Sequence, residues 1–127
     1  QSIEAAEVGQ DVTLAVDVEI HKDLEELVFG YLLKDRQGRS IYGTNTHHLK
    51  YPLRNLKSGD RVRLEFSFLA NLGPGSYSIT TALHAGENHV AHNYEWRDIA
   101  LVFTIFNPGK PFFVGVNWME PILVSQP

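Results

Sequence analysis

The feature that most constrains this chain is a two-residue alternation of apolar and polar side chains that recurs in short segments and never gives way to a helical period. Over residues 11–20, Val12, Leu14, Val16, Val18 and Ile20 share one face while Thr13, Asp17 and Glu19 share the other, the pattern of a half-buried strand. Residues 61–68 repeat it, with Val62, Leu64, Phe66 and Phe68 inward and Arg63, Glu65 and Ser67 outward. Residues 76–84 set Tyr77, Ile79, Thr81 and Leu83 against Ser78, Thr80, Ala82 and His84, so one face is polar. Residues 27–35 are apolar on both faces, which suits a central strand or one covered by a neighbour.

Turn chemistry separates these segments. Asp35-Arg36-Gln37-Gly38-Arg39 closes a hairpin onto a strand at 40–44, and Leu72-Gly73-Pro74-Gly75 is a second turn. Residues 45–60, broken by Pro52 and Gly59, read as a long connection. A further strand spans 99–106, Asn107-Pro108-Gly109-Lys110-Pro111 interrupts it, and 112–118 is extended. About seven short strands without a helix predict an all-β fold, an antiparallel β-sandwich of immunoglobulin-like or jelly-roll type. With 127 residues there is one domain, a core sandwich over about 8–106 followed by a hinge and C-terminal strand over 107–127.

Composition narrows the function. A hydrophobic content of 43% with 20% charged residues is that of a folded globular chain, and a net charge of −4 without basic clusters excludes nucleic acid as a partner. The absence of cysteine excludes disulfides, thiolate metal sites and cysteine nucleophiles, and it agrees with a reducing compartment such as the cytoplasm. No apolar run approaches the roughly 20 residues that cross a bilayer. The start Gln1-Ser2-Ile3-Glu4 lacks both a signal sequence and an initiator Met, as expected of a piece of a longer protein or a processed form.

Several ordered blocks carry a resemblance. Gly30-Tyr31-Leu32-Leu33-Lys34-Asp35-Arg36-Gln37-Gly38 followed by Ile41-Tyr42-Gly43-Thr44-Asn45-Thr46, then Gly75-Ser76-Tyr77, Ala82-Leu83-His84 and the run from Tyr94 to Phe103, resembles the C-terminal domain of the Wzt family, the ATPase subunits of ABC transporters that export O-antigen. The similarity covers about residues 8–106. It implies a β-sandwich that binds the finished O-antigen polysaccharide, often at a modified non-reducing end. It also implies a nucleotide-binding domain elsewhere in the full protein, a transmembrane transporter subunit reached through that protein, and a place at the cytoplasmic face of the bacterial inner membrane. Some members form homodimers by exchanging a C-terminal strand; here Phe112-Phe113-Val114-Gly115-Val116 after a Pro-rich hinge fits either an exchanged strand or one paired within its own sheet.

Polysaccharide binding calls for aromatic faces and planar or amide hydrogen-bonding groups. The candidates are Tyr42 and Asn45 at one strand end, His84 on the polar-faced strand, and His89, His92, Tyr94 and Trp96 in or beside the following loop. The alternatives are structural: Tyr94 and Trp96 as core caps, Asn45 as a turn residue. Ser78, Thr80 and His84 with Arg63, Glu65 and Ser67 either line one open face or are simply solvated. Trp118 is a ligand platform or an anchor for an exchanged tail, and the anchor is the preferred reading.

Neither a metal nor a cofactor is expected. His89-Val90-Ala91-His92 lacks both the helical spacing of a zinc protease and the His-x-His of a cupin site. Gly109-Lys110 runs into Pro111, which spoils a phosphate loop. Asp35, Glu65, Glu87, Glu95 and Asp98 suggest no acid and nucleophile pair, so the domain reads as non-catalytic. The competing readings are an immunoglobulin-like structural or protein-interaction domain without a glycan site, and a metal-dependent cupin-like enzyme.

Overall fold

The computed structural model describes residues 5–85 and 95–127, with residues 95–100 described by backbone alone. Eight strands follow in chain order: β1 (Ala5–Glu7), β2 (Asp11–Glu19), β3 (Leu24–Asp35), β4 (Ser40–Asn45), β5 (Leu53–Leu56), β6 (Arg61–Leu69), β7 (Gly75–Ala85) and β8 (Glu95–Phe106). They form two layers. One sheet has six strands in the order β1-β8-β7-β3-β4, with β5 also paired to β3, and the other consists of β2 and β6. The described residues contain no helix, and the all-β sandwich expected from the alternation is what the chain adopts. All pairings are antiparallel except β1 with β8, which is parallel.

The burial of each strand follows its sequence pattern. In β2 and β6 the inward residues pack while the outward ones pair across the strands: Asp17 opposes Arg63, Glu19 opposes Arg61, and the Thr13 and Ser67 hydroxyls lie 2.9 Å apart. β3 is central, between β7 on one side and β4 and β5 on the other, and residues on both of its faces are buried, as its apolar pattern requires. Its inward residues Leu27, Phe29, Tyr31 and Leu33 are buried in two apolar clusters, and Phe66 of β6 packs against both clusters.

Two strands lie where no strand is expected from the sequence. β5 interrupts the connection read over 45–60, and β1 adds three residues to the edge of β8. β8 also begins at Glu95 rather than 99. The turn after β3 is tied down as expected: Asp35 Oδ1 accepts hydrogen bonds from the Gln37 and Arg39 N–H groups, each 2.9 Å long, and Oδ2 accepts one from Arg39 Nε. Those donors hold its carboxyl pKa below the usual value, the Arg39 backbone N–H most of all. Tyr77 at the start of β7, the register partner of Asp35, donates from its hydroxyl to the Gly73 carbonyl 2.7 Å away and so fixes the neighbouring turn at the same end of the sheet.

Residues 107–118 form a strap rather than a strand, joined to the sandwich by a single bridge between Leu72 and Asn117. Gly73 N–H donates to the Val116 carbonyl and Trp118 N–H to the Asn71 carbonyl, each at 3.0 Å. Phe113 and Trp118, with ring centroids 5.0 Å apart, pack onto the core, and Lys110 Nζ sits 5.7 Å from the Trp118 ring centroid. Gly73 has to be glycine, because a Cβ there would collide with the Gly115 carbonyl oxygen. Beyond Trp118 the chain leaves the surface, with Ile122 90% and Leu123 92% exposed.

Candidate functional site

The outer face of the large sheet is assembled by register. Gly30 of β3 lies opposite Asn45 of β4 on one side and Ala82 of β7 on the other, and Ala82 in turn lies opposite Trp96 of β8. Asn45, Gly30, Ala82 and Trp96 therefore form one row across four strands, spanning about 14 Å at the usual strand spacing. The two middle positions carry the smallest side chains of the row, and this low stretch between Asn45 and the backbone position of Trp96 is called the trough below. His84 flanks it, two residues along β7 and opposite Val28. Three predicted site residues, Asn45, His84 and Trp96, thus share one neighbourhood.

Local chemistry explains how this edge is held. Asn45 Oδ1 accepts a 2.7 Å hydrogen bond from the His48 N–H, and its backbone carbonyl accepts one from Leu49 N–H. Thr46 Oγ1, buried, accepts a hydrogen bond from the Phe29 N–H at 3.1 Å. The Asn45-Thr46 pair therefore locks the turn onto β3, the structural role weighed for it in the sequence. Gly30 permits that fit, since a Cβ there would lie 3.0 Å from both Asn45 Cβ and the Thr44 carbonyl oxygen.

Other predicted residues separate. Tyr42 opposes Leu33, whose side chain is in the core, so Tyr42 lies on the inter-sheet side of β4 and not with His84. Ser78, Thr80 and His84 do not share a face with Arg63, Glu65 and Ser67: the first three belong to the outside of the large sheet, the others to the opposite exterior of the sandwich. Arg63 is engaged there by Asp17 at 3.2 Å and Glu65 at 3.1 Å. Nor is the outer face of the large sheet uniformly solvated, because Thr80 is 4% exposed and Glu26, on the same face by alternation along β3, is 7% exposed. Trp118 packs against its own core and is no open platform. His89, His92 and Tyr94 lie outside the described residues, and Trp96 is placed by backbone register alone.

Gly30 and Ala82 are positions of this row that a search for aromatic and amide groups passes over. A glycine inside an apolar strand is the available signal, since it marks close approach of another backbone or a ligand. Two cavities lie away from the row. One, of about 430 Å³, opens between the sheets and is lined by Leu14, Val16, Ile79, Leu101 and Phe103, with Asp17 and Arg63 also contributing; the other, of about 350 Å³, lies among Glu7, Val8, Gln10, Gly109 and Lys110. Among the described residues no three His, Asp or Glu side chains gather as a metal site, and no helix is long and apolar enough to cross a membrane.

Fold and face together define an all-β sandwich module with a small-residue trough across the outside of its larger sheet. The chain belongs to the Wzt C-terminal domain family, whose model matches residues 1–119; this family is linked to O-antigen transport by ABC transporters. Among solved structures it is similar to the crystal structure of the C-terminal domain of wzt, with a TM-score of 0.81 and 21% sequence identity over 96% of this chain and 74% of that one. No curated protein sequence matches it significantly.

Proposed function

We propose that this domain binds O-antigen polysaccharide without cleaving it, at the chain's non-reducing terminus, and so couples the finished polymer to its ABC exporter. The observation that carries the reading is the row from Asn45 through Gly30 and Ala82 to Trp96, with His84 beside it. A floor of glycine and alanine admits a flat sugar ring, while the flanking amide, imidazole and indole positions are the residue types that bond hydroxyls and stack on sugar faces. Each hydroxyl exchanged from water to protein gains only about 0.5–1.5 kcal/mol net, so single-site affinity is modest.

A homodimer offsets that weakness by presenting two sites. Its support is the exposed apolar tail at Ile122, Leu123 and Val124, together with the edges of β2 and β6, which pair only with each other among the described residues. In this reading the tail of each copy is exchanged onto the other's small sheet. In the full-length protein the domain works at the cytoplasmic face of the inner membrane, beside the transmembrane subunit.

Calorimetric titration with O-polysaccharide from the source bacterium, and with one of different non-reducing terminus, tests the site. Binding of the first alone is expected, and Ala82→Leu, which fills the trough, abolishes it without lowering Tm. Equal binding of both polysaccharides, or undiminished binding by the variant, overturns the reading.

A further inference from the structure

We infer that Tyr42 forms a second sugar-stacking platform, on the edge of β4 and around the corner from the trough, that engages internal units of the same polysaccharide; the inference rests on the proposed glycan binding. Tyr42 is 53% exposed although it lies on the inter-sheet side of β4. Its ring is backed from within: the centroid lies 6.3 Å from that of Tyr31, which stacks on Phe68 at 6.3 Å with an interplanar angle of 17° and meets Phe66 edge-on at 5.1 Å. Tyr31 itself is buried, and burial followed by the neighbouring Tyr42 raises its pKa, so the layer beneath the platform stays neutral across the physiological range.

A ring supported on one side and open over about half its surface has what stacking requires: a planar apolar area already ordered before the ligand arrives. The surroundings suit a hydroxyl-rich ligand. β4 pairs only with β3 among the described residues, so its outer edge offers backbone donors and acceptors, and Thr44, two residues on, adds a hydroxyl on the same face. Tyr42 and Asn45 are three residues apart, about 10 Å along the strand, and point to opposite faces because an odd separation reverses the side. A saccharide chain whose terminus lies in the trough therefore reaches Tyr42 by crossing one strand edge, and a short fragment does not reach it.

Chain length is the readout. The probe is O-polysaccharide released by mild acid from the lipopolysaccharide of the source bacterium and separated by size into chains of one repeat unit and of several. Wild-type protein is expected to bind the longer chains more tightly. Tyr42→Leu, which keeps an apolar cover over Tyr31, loses about five- to tenfold in affinity for long chains and nothing for short ones, whereas Tyr42→Phe retains the wild-type preference. Long-chain affinity unchanged in Tyr42→Leu, an equal loss for both lengths, or a change in oligomeric mass with Tyr42→Leu overturns the platform and leaves the trough standing. Wild-type protein that binds neither fraction overturns the trough and the platform together.

Discussion

The two layers of this sandwich solve the same packing problem in opposite ways. In the large sheet β3 is paired along both edges and buried on both faces over much of its length. In the small sheet β2 and β6 pair once each, and every outward residue of their ladder is exposed. A two-stranded ribbon is marginal by itself, so the small layer persists because its inward residues pack onto the large one. The large sheet is thus the closed layer that carries the fold, whereas the small sheet leaves its outer edges unpaired among the described residues, with a cleft of mixed lining beneath it.

This contrast breaks first on stability. Phe29→Ala, in the centre of the large sheet, is expected to cost about 3–5 kcal/mol, and Val12→Ala, half-buried on β2, about 1 kcal/mol. Chemical denaturation of both variants checks this, and equal losses would mean that the layers are equally packed. Assembly sharpens it next. Removing residues 119–127, which lie beyond the Trp118 anchor, is expected to halve the mass seen by light scattering while leaving polysaccharide binding per site intact; a truncated protein that stays dimeric places the contact elsewhere.

The smallest effect belongs to the hairpin that carries β4. Asp35 has its pKa lowered in the folded state, so its contribution is present above the ordinary carboxylate pKa of about 4 and disappears as pH falls through the folded value. Asp35→Asn is therefore expected to lower Tm at neutral pH, with the gap from wild type closing in acid. A gap that is constant with pH, measured by thermal melts, would assign the loss to shape and not to charge.

Most of the fold was legible because alternation is a local signal. Residues 11–20 and 61–68 each state which face is buried, and residues 27–35 state that both are. β5 was hidden because it is four residues long, follows Pro52 and contains Asn55 at a φ of 58°, which breaks the pattern. β1 was hidden because a parallel partner far along the chain leaves no local trace. The site was legible in part. That Tyr42 and Asn45 face apart follows from their odd spacing alone, but the alignment of Asn45 and Trp96 at the two ends of one row depends on the pairing of four strands and on an irregularity between Ile79 and Thr81 that shifts the β7 and β8 register. Side-chain chemistry named the candidates, and only tertiary pairing could sort them between two surfaces.

The crossing of Gly73 under Gly115 ties the evolutionary fate of two distant segments together. A side chain at position 73 would lever the strap off its seat and displace the hydrogen bonds that hold Val116 and Trp118. Positions 73 and 115 are thus constrained as a pair, and a side chain is admitted at 73 only where the strap is seated differently.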